Sequence, residues 1–273
     1  MELEGPRVQL VRARGRTYLY GRRHFMITDC EWMTRHVDTL FASNSQGRLI
    51  CTREPGGAPV PRFYLGRSRH GNLWRFGAEL PAAQVVSLAR LAAREPALQA
   101  GSRTTQPNFE CEPEPERMEA FRRILAEDRA IEGECRGPAF RFPDSLPAAS
   151  ARGEVRTTRI DASNAELLRH GFERLIAELP GRLPCLAVVI DAGAVSVCQR
   201  ARGGPHGCAE AGVDTLPEHR GWGYGTAVVA AWASAVCEAG GTPLYSTAWE
   251  NQASRALARR LALIQYGEDL YFT

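Results

Sequence analysis

The chain contains no lysine: all 34 basic residues among its 273 are arginine. That absence excludes chemistry. No Schiff-base lysine can form, so pyridoxal-phosphate catalysis and lysine-dependent aldol reactions are ruled out. The phosphate-binding motif G-x-x-x-x-G-K-[ST] cannot be spelled, and the lysine that protein kinases need is missing as well. The bland cause of an arginine-only set is a genome rich in G and C. Long apolar runs are also lacking, and no stretch approaches the ~20 residues of a membrane span. The opening Met1-Glu2-Leu3-Glu4-Gly5-Pro6-Arg7 does not run basic-then-apolar as a secretion signal does. A cytoplasmic protein is expected. No large excess of either charge is present: the net charge is +3, too little to argue for a nucleic-acid partner. None of the eight cysteines (30, 51, 111, 135, 185, 198, 208 and 237) forms C-x-x-C, and none sits with histidine at metal-ligand spacing. They read as reduced, mostly buried thiols, with no metal and no disulfide framework expected.

What is present is an ordinary globular composition, 44% hydrophobic and 24% charged, in a length comfortable for two domains. Proline-rich stretches from Gln106 to Pro115 and from Gly137 to Ser150 interrupt helical pattern. They place a boundary near residue 136, between a domain of residues 1–136 and one of residues 137–273. Both read as mixed α and β. In the first, strands are expected at Val8–Val11, Thr17–Tyr20, Arg48–Thr52, Arg62–Leu65 and Asn72–Phe76. Helices are expected at Thr28–Phe41, Pro81–Ala93 and Arg117–Ala130. His24, His36 and His70 are isolated and read as structural or solvated.

The second part is more orderly. A helix is expected over Asn164–Leu179. A strand at Leu186–Ile190 then turns at Asp191-Ala192-Gly193, where the glycine can supply a positive φ. The hairpin partner is Ala194–Cys198, and a third strand, Cys208–Thr215, completes an antiparallel meander. A glycine-rich loop, a helix, a strand at Leu244–Thr247, a helix at Gln252–Leu263 and a last strand at Asp269–Phe272 follow.

The loop is the most informative segment: Asp214-Thr215-Leu216-Pro217-Glu218-His219-Arg220-Gly221-Trp222-Gly223-Tyr224-Gly225-Thr226. Glycines 221, 223 and 225 let the backbone approach a ligand without a Cβ in the way. Successive N–H groups and the start of a helix then make an anion site suited to phosphate or pyrophosphate. Arg220 can add a charge-assisted hydrogen bond. The spacing is G-x-G-x-G after a meander, not the dinucleotide G-x-G-x-x-G after the first strand of a βαβ unit. The competing reading is a glycine-rich connection with no ligand.

Arg220-Gly221-Trp222-Gly223-Tyr224-Gly225 resembles the acyl-CoA loop of the GNAT N-acetyltransferase superfamily. The preceding Gly212–His219 is similar to that family's strand and Pro-x-x-Arg turn. Tyr245-Ser246-Thr247-Ala248-Trp249-Glu250-Asn251-Gln252-Ala253-Ser254 is similar to its fifth-strand region and the asparagine after it. The resemblance covers roughly residues 137–273 and is closest in spelling to the glycine N-acyltransferase-like branch. It implies a mixed α/β sheet fold; element order and length suggest that the N-terminal part covers the acceptor side or forms a degenerate second GNAT-like domain. It also implies acetyl-CoA as acyl donor. The N–H groups of residues 221 to 226 would hold the pyrophosphate. The backbone of Val213, Asp214 and Thr215 would pair with the pantetheine arm as an added strand does. Asn251 would contact CoA or simply cap its helix, and Ser254 would bond the same ligand or sit in the first helical turn. Trp222 and Tyr224 either pack on neighbouring elements or stack on adenine. His219 is an exposed turn residue or a phosphate contact.

Acyl transfer to an amine needs a neutral nucleophile, an oxyanion donor and a proton for the leaving thiolate. Glu210 stands where the family often has its base; the alternative is an exposed strand carboxylate paired with an arginine. Asp214 is the second candidate. The acid cannot be carried over, because alanine occupies position 258, where the family often has tyrosine. Tyr245, Ser254 and Tyr266 are the substitutes at hand. The function implied is an N-acetyltransferase moving acetyl from acetyl-CoA to a small-molecule primary amine in a direct ternary complex. The alternative is a non-catalytic CoA-binding sensor or regulatory module. No nucleic-acid or membrane partner is expected, and a homodimer is the assembly left open.

Overall fold

A computed structural model of the chain describes residues 27–57, 59–99, 113–147 and 155–273, with the backbone of two N-terminal strands. Those strands are β1 (Gln9–Ala13) and β2 (Arg16–Tyr20), an antiparallel hairpin. Helix α1 (Asp29–Leu40) opens on a capping box. The Thr28 hydroxyl accepts the Glu31 N–H, and the Glu31 carboxylate accepts the Thr28 N–H, so two orphan donors are satisfied at once. Then come β3 (Phe41–Ser43), β4 (Leu49–Thr52), β5 (Phe63–Ser68) and β6 (Gly71–Phe76). Helices α2 (Ala82–Ala92) and α3 (Met118–Ala126) follow, the second shorter than the expected Arg117–Ala130.

Strand β7 (Glu134–Arg141) runs into the proline-rich stretch that begins at Gly137, and β8 (Ser145–Leu146) lies within it. After β9 (Thr157–Ile160), the helix expected over 164–179 is broken in two. A 3-10 turn at Ala165–Leu168 is separated from α4 (Glu173–Arg182) by Gly171 at φ 91°, a left-handed conformation that no helix continues through. The meander is β10 (Cys185–Ile190), β11 (Gly193–Gly203) and β12 (Cys208–Thr215). Its first turn takes positive φ at Asp191 (48°) and Ala192 (61°), and Gly193 already belongs to β11. The chain ends with α5 (Tyr224–Glu238), β13 (Thr242–Ser246), α6 (Gln252–Arg260) and β14 (Ile264–Phe272), the last longer than expected.

Nine strands form one mixed sheet in the order β6-β5-β14-β7-β13-β12-β11-β10-β9, so the fold is mixed α/β. The residue-136 boundary read from the prolines falls inside β7. The final strand, β14, lies between β5 and β7, antiparallel to both. Helix α5 packs Val228, Val229 and Trp232 on Phe140, Ala209, Ala211 and Tyr245. On the opposite face, α1 packs Trp32, Met33 and Val37 on Tyr64, Ala139, Cys208, Leu244 and Tyr266. Helices α2 and α3 cover Phe63, Leu65, Leu270 and Phe272. No described helix is long and apolar enough to cross a membrane.

One feature of the sheet creates the site. Strands β12 and β13 run parallel and pair only at Cys208↔Thr242, Ala209↔Pro243 and Glu210↔Leu244. Beyond that point β12 stays with β11 as far as Thr215↔Ser196, while β13 stays with β7 through Ser246↔Ala139. The two strands therefore part, and their facing edges no longer pair with each other.

Candidate functional site

A cavity of about 440 Å³ opens where β12 and β13 part. Its walls come from the end of β12, the glycine turn, the first turn of α5, Tyr245 of β13 and one side of α6. Most of the residues singled out in the sequence meet here: Val213, Asp214, Thr215, Arg220, Gly221, Gly223, Tyr224, Gly225, Thr226, Asn251 and Ser254. Trp222 is not part of the wall. It stands 45% exposed beside it, its ring stacked on Tyr224 at 6.5 Å and 15°.

The turn is built for close approach. Pro217–His219 forms a 3-10 turn, then Gly221 and Gly223 take φ 80° and 89°. A side chain in that region costs ~1–2 kcal/mol, which accounts for glycine at both positions. Gly223 caps α5 with no side-chain acceptor. The orphan N–H groups of that helix start therefore have no side-chain cap, an arrangement that can accept an anion. Arg220, His219 and Arg260 put cationic or ionisable groups in the same wall. This donor set fits a pyrophosphate. Arg220 also closes the turn on itself, since its Nε donates to the Thr215 carbonyl at 3.0 Å. Asp214 is a poor base candidate by position: its side chain is 72% exposed and accepts the Thr215 N–H.

Both readings of Asn251 hold geometrically. Its Oδ1 accepts the Ser254 N–H at 3.0 Å, a helix cap, and the residue also lines the cavity. Of the three substitutes for the missing acid, two are brought together. The Tyr245 and Ser254 hydroxyls are 2.5 Å apart in the cavity wall. Burial pushes the Tyr245 phenol up to about 12, with the Ser254 hydrogen bond opposing. Tyr266 is elsewhere, buried under α1 with its hydroxyl 3.0 Å from His36 Nδ1. Ala258 is fully buried behind the cavity wall, among the residues that α5 covers.

Glu210 pairs with an arginine, as one of the two sequence readings expects, but it is buried where that reading has it exposed. It is 2% exposed and does not line the cavity. Arg202 Nη1 donates to its Oε2 at 2.8 Å, and the Ser246 hydroxyl donates to its Oε1. Burial works to raise its pKa. The charges of Arg202 and His36, with the Ser246 bond, outweigh that and hold the carboxyl below its ordinary value. Glu210 is thus a buried, ion-paired carboxylate at the last residue pair before the strands part.

Sequence reasoning missed Arg260, Arg202 and Ser246. Arg260 had a signal: Asn251, Ser254, Leu257 and Arg260 recur at every third position of α6, and all four line the cavity. Arg202 and Ser246 are joined to Glu210 only by strand register, which spacing along the chain does not reveal. His36, expected to be structural or solvated, is buried, with Nε2 at 3.0 Å from Asp269. His70 is a surface residue 3.2 Å from Asp29, and His24 lies outside the described residues, as does Cys111.

Residues 206–272 match the FR47-like protein family model. Every wall residue of the cavity falls inside this FR47-like segment. Solved structures similar to the chain include a GNAT-family protein described as an acetyltransferase from Novosphingobium aromaticivorans (14% identity, TM-score 0.39). That likeness covers 52% of this chain and 65% of that one. A GNAT-family acetyltransferase from Colwellia psychrerythraea shares 10% identity over 73% and 75% of the two chains, TM-score 0.42. A GCN5-related N-acetyltransferase-like protein from Streptococcus suis shares 13% over 89% and 100%, TM-score 0.44. Comparison with curated proteins finds no match.

Proposed function

We propose that the chain is a GNAT-type N-acetyltransferase that moves acetyl from acetyl-CoA to a primary amine of a small molecule. The observation that carries this reading is the cavity at the parting of β12 and β13, walled by the glycine turn at one side and the Tyr245–Ser254 pair at another. The FR47-like match over the same residues supports it. In this reading the N–H groups from Gly221 to Thr226 grip the pyrophosphate, with Arg220 and Arg260 adding charge. The free edge of Val213–Thr215 binds the pantetheine amides. The same edge supplies N–H donors toward the developing oxyanion. Tyr245, through Ser254, returns a proton to the departing thiolate, and Glu210 takes the proton of the amine across intervening water. Assignment to the glycine N-acyltransferase-like branch and a cytoplasmic setting, where the seven described free cysteines stay reduced, belong to the same reading.

One observation favours a second reading, a CoA-binding module without transfer: the carboxylate of Glu210 is already held on both oxygens. The test is calorimetry with CoA, followed by thiol release from acetyl-CoA across an amine panel, with Glu210→Gln beside the parent. CoA binding with turnover lost in Glu210→Gln is expected. No affinity for CoA overturns both readings, and binding without any acceptor leaves the module. Equal turnover by variant and parent removes Glu210 from the mechanism.

A further inference from the structure

Arg202 reaches two carboxylates from opposite halves of the chain. Its Nη1 donates to Glu210 at 2.8 Å and its Nη2 to Glu54 at 2.9 Å. Glu54 sits in the turn after β4, closed by the Gly57 N–H to the Glu54 carbonyl. It is 148 residues from Arg202 in sequence. The two carboxylates lie at different depths: the Glu210 side chain is 3% exposed and that of Glu54 33%. Glu54 is itself flanked by Arg182, 4.0 Å away, which Glu178 binds at 2.6 Å. An ionic chain therefore runs from the surface of α4, through the N-terminal half, to Glu210.

We propose that Glu54 is a positioning residue for Glu210: by holding the far side of Arg202, it withholds part of that cation from the candidate base. This rests on the acyltransfer reading, because it gives the N-terminal half a part in the chemistry of the C-terminal one. A buried carboxylate that faces an undivided guanidinium charge is a weak base. Sharing that guanidinium with a second carboxylate restores basicity and fixes the orientation of the pair. The other groups facing Glu210 are consistent with this. The Ser246 hydroxyl donates to it, and His36 has its ring occupied by Asp269 and Tyr266. The neighbouring phenols of Tyr64, Tyr245 and Tyr266 are all pushed upward by burial and stay neutral. Arg202 is the cation in direct contact with Glu210, and Glu54 is the group that divides it.

The test reads the Glu210 carboxyl directly in the full chain. Protein labelled with carboxyl-¹³C glutamate is titrated by NMR, and the Glu210 signal is assigned by its loss in Glu210→Gln. In Glu54→Gln the proton affinity of Glu210 falls about threefold, because a neighbouring negative charge has gone. Glu54→Asp, whose carboxylate is drawn back by one methylene, shifts it the same way by less. Glu178→Gln loosens the same ionic chain without touching Arg202 and leaves the midpoint in place. An unchanged midpoint in Glu54→Gln overturns the proposal; so does an equal shift in Glu178→Gln. If Glu54→Gln fails to fold, Glu54→Asp decides by the same criterion. A purely structural Glu54 would lower the melting temperature and leave the midpoint alone. CoA calorimetry on the parent keeps the outcomes separate: its failure removes the acyltransfer reading, while the midpoints alone judge the Glu54–Glu210 coupling.

Discussion

Tyr245 and Ser254 share one hydrogen bond, and the pair matters more than either member. The phenol is 1% exposed, and its pKa of about 12 keeps it protonated throughout the working range. Ser254 is the less buried partner, so in the proposed acyltransfer it is the one to meet the leaving sulfur, with Tyr245 resupplying it. Tyr245→Phe and Ser254→Ala should each lower kcat about tenfold, below the ~10²–10⁴-fold typical of general acids, because a thiolate leaves readily. The double variant should lose little more than either single one, since one relay is broken in all three cases. Steady-state kinetics on the four proteins checks this, and fully additive losses would refute the relay. Up to about pH 10 the alkaline limb of kcat should not move in Tyr245→Phe, because the phenol does not titrate there. Glu210 carries a separate expectation for stability. Its folded pKa is depressed, so its contribution is complete above the unfolded value of ~4.3 and is lost as pH falls through the lower folded value. Glu210→Gln should therefore be destabilised at pH 7, and the gap from the parent should close in acid. Urea midpoints across that window measure it.

Asn251 caps α6 and, in the proposed function, also meets CoA; substitutions separate the two roles. Asn251→Ala removes the cap on Ser254 N–H, at a cost of about 1 kcal/mol, and should lower both melting temperature and CoA affinity. Asn251→Asp caps as well as asparagine but sets a negative charge among phosphate donors. It should keep the melting temperature and still lose about tenfold in CoA affinity. Differential scanning and calorimetry on the two variants decide; unchanged affinity in Asn251→Asp would leave the residue a cap alone. At the start of α5, Gly223→Val forces a β-branched side chain to φ 89° and should abolish CoA binding. These elements were legible in the sequence because their signals are local. Three alternating glycines mark the turn, and asparagine before Gln252 marks the helix start. Strand β7 was illegible because Pro138 and the nearby prolines read as a linker. The ladder accommodates Pro138 beside a register shift at Gln265/Gly267 of β14. The break at Gly171 was hidden by apolar spacing that continues across it. The Glu54–Arg202–Glu210 contact joins two neighbouring strands to a turn 148 residues away, so no window along the chain contains it.

At the scale of the whole molecule, the order of strands departs furthest from the order of sequence. The final strand returns to the middle of the sheet, and both halves depend on it. Leu270 and Phe272 of β14 are packed with Phe63 and Phe121 of the N-terminal half. Tyr266 stacks on Trp32 of α1 at 6.0 Å. Two buried acids of β14 take partners from the same half: Glu268 accepts from Arg67 Nη1 at 2.6 Å, and Asp269 is 3.0 Å from His36 Nε2. Cutting the chain near residue 136 would strip all of these at once. It would expose one long edge of β14 to solvent and leave two carboxylates without these partners in an apolar face. Residues 137–273 expressed alone should therefore aggregate or lack a cooperative transition, although every wall of the candidate cavity lies within them. Co-expression with residues 1–136 should restore a soluble complex. Gel filtration, thermal melting and CoA calorimetry on the fragment and on the reassembled pair provide the check. A monomeric fragment with a sharp transition and the parent's CoA affinity would show that residues 137–273 stand without the N-terminal strands that pair with β14.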